Sequence, residues 1–177
     1  ENLAKTRNGG LELVANGRLS KTLTYNVSSN LFWSELDATP LSFSEKRSAF
    51  SLGGRGNLNW QATPNDFFQL NAFVSGKRLT AQGHVAPSAQ VNLGWRHKFN
   101  DPFSLLVTAQ DAFNLYRDLA IIDTPILKGR FRRKADTQVG IVSLVWTFGG
   151  GRQRDPGFEF GGGAPGPQLR GGETRPF

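Results

Sequence analysis

Seven consecutive residues, Lys128-Gly129-Arg130-Phe131-Arg132-Arg133-Lys134, carry five cations and one aromatic ring. Guanidinium and ammonium groups at this density bind phosphate or carboxylate, Arg through paired N–H donors and Lys as a point charge. Lys128, Arg130, Arg132, Arg133 and Lys134 are therefore the candidate ligand-binding residues, for lipopolysaccharide phosphates or for an anionic solute. The competing reading is a solvated loop whose charges pair with acids elsewhere. Other groups offer less chemistry. His84 follows a glycine in a loop and His97 lies near a turn, and neither stands at metal-ligand spacing from a second histidine or an acid cluster. His97 also lacks an acidic or amide orienter visible in the sequence. Gly53-Gly54-Arg55-Gly56 has the composition of a phosphate cradle, but it lies mid-strand with no helix after it, so small residues beside bulky neighbours account for it. Cysteine is absent, which removes disulfides and thiolate metal sites. No catalytic residue, metal or cofactor is expected, and the chain is not read as an enzyme.

The formal net charge of +7 raises nucleic acid as a partner. Tyr116 to Lys134 alone supplies six Lys/Arg against two Asp, so the charge is concentrated in one loop. A nucleic-acid platform stacks bases on several aromatic rings, and the basic run Lys128 to Lys134 has Phe131 alone. No nucleic-acid partner is expected, and a soluble basic all-β module for nucleic acid stands as an alternative.

The elements that position these groups show a period of two, the signature of strands. Seven segments place apolar residues on one face and polar residues on the other. Their apolar sets are Leu11, Leu13 and Ala15; Leu23, Tyr25, Val27, Leu31 and Trp33; Phe50, Leu52, Leu58 and Trp60; Phe68, Leu70, Ala72 and Val74; Val91, Leu93, Trp95 and Phe99; Phe103, Leu105, Val107 and Ala109; and Val142, Leu144, Trp146 and Phe148. A soluble sandwich produces this alternation when the apolar face meets a second sheet, and a membrane barrel produces it when that face meets lipid. Segment length separates the two, because most of the segments run to about 10–14 residues, whereas strands of soluble domains centre on about five or six and a tilted membrane strand needs about 9–11.

Connection length agrees with the barrel. The breaks at Ser20-Lys21, Ala62–Asn65 and Asn100–Pro102 are tight, whereas those at Leu36–Arg47, Thr80–Pro87 and Leu115–Asp136 are long, and the two kinds alternate. Aromatic placement agrees as well, since rings gather at the level of lipid headgroups. Tyr25, Trp60, Phe68, Trp95, Phe99, Phe103, Trp146 and Phe148 lie toward the short turns, and Trp33 and Phe50 lie toward the long loops. Together these ten residues predict a lipid-facing aromatic girdle. On the opposite, lumen-facing side stand Arg55, Lys77, Arg96 and Lys98, candidates for contact with an enclosed plug.

The expected fold is thus all-β, an antiparallel up-and-down transmembrane β-barrel segment of about seven long strands. Residues 1–148 form the barrel part. Residues 149–177, with ten Gly and four Pro, form a flexible periplasmic tail. An odd strand count and a first residue other than Met suggest the C-terminal part of a longer barrel, its first strand paired by chain upstream. A complete small porin-like or adhesin barrel would need an eighth strand, for which Tyr116 to Leu127 is the candidate.

The phrases ENLAKTRNGGLELVANGRLS, NLNWQATPNDFFQLNAFVSGKRLTAQG, VNLGWRHKFNDPFSLLVTAQDAFN, IIDTPILKGRFRRK and VSLVWTFGGG follow one another from Glu1 to about Gly151. In that order they resemble the C-terminal barrel region of TonB-dependent outer-membrane receptors with an outer-membrane-protein β-barrel ending. The resemblance implies a barrel of about 22 strands around an N-terminal plug, located in the bacterial outer membrane. It also implies active uptake of a siderophore, vitamin, sugar or peptide. The partners implied are outer-membrane lipid and lipopolysaccharide, the N-terminal barrel and plug of the same protein, and the TonB complex acting through that plug. One departure stands out: such barrels usually end the protein on an aromatic residue, whereas 29 residues follow Phe148 here.

Overall fold

The computed structural model describes residues 5–37, 46–133 and 136–148. They form eleven strands: β1 (Lys5–Arg18), β2 (Leu23–Asp37), β3 (Arg47–Gln61), β4 (Asp66–Ser75), β5 (Arg78–Thr80), β6 (Gly83–Val85), β7 (Ser88–Asn100), β8 (Phe103–Gln110), β9 (Asp118–Asp123), β10 (Lys128–Arg133) and β11 (Val139–Trp146). The fold is all-β, with no helix among the described residues.

The wall is a seven-stranded antiparallel sheet in the order β1-β2-β3-β4-β7-β8-β11. Each strand lies beside its predecessor because a tight turn or a local excursion joins them, the up-and-down topology of a meander. The turns carry their own bonds. Thr63 Oγ1 accepts from the backbone N–H groups of Asn65 and Asp66 and donates to Asp66 Oδ2 at 2.7 Å, closing the β3–β4 turn. At the β7–β8 turn, Lys98 Nζ meets Asp101 Oδ1 at 2.9 Å, and this contact holds the Asp101 carboxyl below the usual carboxylate range. The sheet does not close on itself, and β1 and β11 are its two edges.

Burial is inverted relative to a water-soluble domain. The buried side chains include Asn92, Ser104, Thr108, Gln110, Asp111 and Thr124, and Leu106 is the one large apolar side chain buried among the described residues. Val27, Leu31, Phe50, Leu52, Trp60 and Phe68 are between 39% and 70% exposed. Among the described residues no second layer covers the apolar face, as a sandwich would require.

The sequence reading placed Thr80–Pro87 and Leu115–Asp136 in long loops, and here the structure corrects it. Within and beside these stretches lie β5, β6, β9 and β10, which pair into a four-stranded antiparallel sheet in the order β10-β9-β6-β5. The fourth segment accordingly stops at Ser75 instead of running on to Leu79. The candidate eighth strand does contain β9, but β9 pairs with β6 and β10 and adds nothing to the wall. The short runs were illegible because three-residue strands are too brief to show a period. Their order β5-β6-β9-β10 repeats that of β4-β7-β8-β11, from which they emerge, so the small sheet extends the wall at the long-loop end and is called the cap below.

Cap pairing depends on Gly83. A Cβ built there would run into the backbone carbonyl of Ile121 on β9, so only glycine lets β6 and β9 approach this closely. Gly83→Ala is expected to weaken the β6–β9 ladder by about 1–3 kcal/mol. Limited proteolysis should then cut within residues 78–133 several-fold faster, while the heat-modifiable gel mobility that reports the wall stays unchanged.

Candidate functional site

The polar face of the wall is organised in cross-strand rows. Asn16 on β1, Asn26 on β2, Asn57 on β3, Asn71 on β4 and Asn92 on β7 are successive register partners, so five adjacent strands present asparagine at one level. Asn92 Nδ2 donates to Asn71 Oδ1 at 3.2 Å, and Asn71 Nδ2 donates to Asn57 Oδ1 at 2.7 Å. Asn92 Oδ1 accepts from Gln90 Nε2 at 3.1 Å and from the backbone N–H of Asp111 at 2.9 Å. Asp111 is fully buried with a positive φ of 45°, an uncommon conformation that Asp tolerates. Its carboxylate accepts from the N–H groups of Leu115 and Tyr116 and from the Thr137 hydroxyl, tying the exit of β8 to the approach to β11.

The cations predicted on this face are held in three ways. Arg55 lies over the ring of its register partner Phe73, 5.5 Å from the centroid, and Arg96 lies over its partner Phe67 at 5.1 Å. Lys98 reaches down to Asp101 in the turn. Lys77 borders a hollow of about 880 Å³ at the long-loop end, lined by Asn8, Glu12, Asn30, Ser34, Ser51 and Arg55 among others and overhung by β5. The glycine run lies in the wall of this hollow. A Cβ at Gly54 would press on the Ser28 backbone carbonyl and one at Gly53 on the Asn30 amide oxygen, so close packing within the sheet explains these two glycines, whereas a Cβ at Gly56 would meet only an ordinary contact with Val27. Asn30 Oδ1 is itself buried without a hydrogen-bond partner.

The cap divides the basic run. Leu79, His84, Ile121 and Arg130 are successive register partners across β5, β6, β9 and β10 and therefore share one face of the cap. Lys128 and Arg132, two residues either side of Arg130, point the same way. Arg133 points the opposite way, and its Nε and Nη2 meet Asp118 Oδ2 at 2.9 and 2.8 Å. Lys128 Nζ lies 3.9 Å from Asp123 Oδ1, and Arg47 at the head of β3 donates to the Asp123 carbonyl, fastening the β9–β10 hairpin to the wall. Lys134 lies outside the described residues, as does the tail 149–177.

On the apolar face, Trp60, Phe68 and Trp95 are register partners in one row. Their rings continue in contact through His97, Phe99 and Phe103, with successive centroids 4.8–6.4 Å apart. Trp146 pairs with Phe103 in register and stands 5.4 Å from Phe148. Tyr25 covers Gly17 one row further in. Trp33 and Phe50 face each other toward the long-loop end.

The structure also supplies what the sequence did not show for His97. Asp66 is its register partner, His97 Nδ1 lies 2.8 Å from Asp66 Oδ1, and Trp95 Nε1 donates to the same oxygen at 3.1 Å. Because β4 and β7 are joined through the cap, no turn fixed their register in advance, and the pair was hidden. The Thr63 hydroxyl donates to the other oxygen of the Asp66 carboxylate, so the cluster ties β7 to the β3–β4 turn at the rim.

A family model described as the outer membrane protein beta-barrel family matches residues 1–146. The chain belongs to this family. It is accordingly a protein of the bacterial outer membrane, and in such a barrel the polar face lines the lumen while the apolar face meets hydrocarbon. No curated protein and no solved structure matches the chain. Family membership gives the two aromatic rows a scale. Ten residues of β3 separate Phe50 from Trp60, and at about 3.3 Å per residue with a tilt near 45° they span roughly 24 Å, close to the height of a lipid-facing apolar band.

The mouth of the lumen carries a testable electrostatic mark. Burial pushes the His84 imidazole below its ordinary value; Lys77 and Arg47 push it the same way, and Asp123 opposes them. Lowering favours the neutral ring, so His84 should take up its proton only below about pH 6.5. An NMR titration of labelled histidine should show that midpoint rising in Lys77→Ala and falling in Asp123→Asn.

Proposed function

We propose that this chain is part of the barrel wall of a TonB-dependent receptor that actively takes up a scarce nutrient across the outer membrane. The observation that carries the reading is the sheet's pair of open edges beside an amide-rich face. Hydrocarbon leaves no unpaired strand edge stable, so β1 and β11 pair with further strands of a larger barrel, wide enough to enclose a folded plug. Arg55, Lys77, Arg96 and Lys98 stand at different heights on the lumen wall and are the proposed plug contacts. Energy from the TonB complex reaches the receptor through that plug. The long-loop end with its cap faces the outside of the cell, the short turns face the periplasm, and the aromatic rows sit at the two headgroup levels. The resemblance of the quoted phrases to such receptors supports the same reading, and no covalent chemistry is assigned to the barrel.

Uptake in a Gram-negative host producing the whole protein tests the proposal. Solute accumulation should stop when the TonB complex is deleted or the proton-motive force collapsed, while surface binding persists; accumulation unchanged by either treatment would sink it. The assignment of faces has its own test. Val27→Arg, at mid-height on the lipid side, should destabilise the barrel by about 2–4 kcal/mol in denaturant titrations from vesicles. The neighbouring lumen-side change Asn26→Arg should shift stability by less than about 1 kcal/mol.

A further inference from the structure

We infer that the cap and the head of β3 form a receiving site for an anionic solute, one rich in phosphate or carboxylate groups, at the mouth of the lumen. This rests on the uptake reading above and names its substrate class. Three observations converge. First, alternation along β10 puts Lys128, Arg130 and Arg132 on one face at intervals of about 6.8 Å, and register gives that same face to His84 on β6 and Leu79 on β5, the strand that borders the hollow. Second, Lys77 lines the hollow, and Arg47 is bonded to the tip of the β9–β10 hairpin, so cations from β3, β10 and the β4–β5 link gather at one opening. Third, the acids are already engaged or set apart, beginning with Glu35 in the lining of the hollow, which Lys46 meets at 3.0 Å and Arg7 at 3.9 Å. Asp118 is on the other face with Arg133, and Asp123 sits between Lys128 and the Arg47 contact. Glu12 lies lower, in the β1 wall of the hollow.

His84 on this face lies close enough to Lys77 and Arg47 for both to disfavour its protonation, in addition to the larger effect of burial and against Asp123. Below the mouth the wall changes character. The hollow and the rows beneath it are chiefly neutral amides and hydroxyls, with Arg55 engaged on Phe73. Cations attract the anion at the mouth, and neutral hydrogen-bonding groups then take over, so it is not trapped by charge deep in the lumen.

The test uses the whole protein in phosphatidylcholine vesicles, with inositol hexakisphosphate and citrate as probes and a neutral maltooligosaccharide as control, read by calorimetry. At least one anionic probe should bind where the neutral sugar does not, and its affinity should fall at least about tenfold on raising salt from about 50 to 500 mM. Arg130→Glu with Arg132→Glu should lower it by a further factor of about ten or more, while Arg133→Gln, on the other face, leaves it within about twofold. Heat-modifiable gel mobility establishes that each variant keeps its barrel. Binding of neither anion, or equal binding by the Glu pair and the parent, overturns the inference. So does loss of probe binding when lipid A is added to the vesicles, because the face would then serve lipid headgroups. Binding needs no energy source, so anion binding with TonB-independent uptake defeats only the uptake reading, and TonB-dependent uptake without anion binding defeats only this one.

Discussion

Backbone hydrogen bonding in a medium without water is the constraint from which the rest of this structure follows. A strand in hydrocarbon cannot leave its N–H and C=O groups to solvent, so each must find a neighbouring strand along its length. That requirement produces strands of up to 15 residues, where soluble domains use shorter ones, and the simple meander in which sequence neighbours pair. It also explains the inverted burial. Once lipid replaces water outside, apolar side chains gain nothing by turning inward, and the other side is left to amides and hydroxyls that bond one another. Asn92, Ser104, Thr108 and Gln110 are buried here for the same solvation reason that Leu and Val are buried in a soluble core.

The two sheets divide the work. The wall is regular, and its long registers tolerate one irregularity, the bulge at Lys98/Asn100. The cap is short-stranded and depends on particular residues. Gly83 permits the approach of β6 to β9, Arg47 bridges to the hairpin, and Thr124 closes the hairpin tip by bonding Leu127 in both directions. Asp111 stands where wall passes into cap and gathers backbone donors from the segment between them. Charge follows the same division, with cations stacked on rings in the wall and presented on an open face in the cap.

The seven wall strands were legible in sequence because each is long enough to repeat a period of two several times over. Strand two, with Leu23, Tyr25, Val27, Leu31 and Trp33, declares itself without help from its neighbours. The cap was not legible, since Arg78–Thr80 and Gly83–Val85 contain too few residues for any period. The five-asparagine row was visible as separate asparagines on polar faces, and only register turns them into a line. The same limit hid the Asp66–His97 pair. In the basic run, composition showed the charge, but strand geometry sorted Lys128, Arg130 and Arg132 from Arg133.

The asparagine row has a property of its own. A primary amide offers donor and acceptor together and does not titrate, so bonds among Asn57, Asn71 and Asn92 keep their strength in acid and in brine alike. The row itself adds no charge to the wall at the level it crosses. The middle of the wall therefore keeps its shape through changes of acidity and salt that alter the charged contacts elsewhere on the same face.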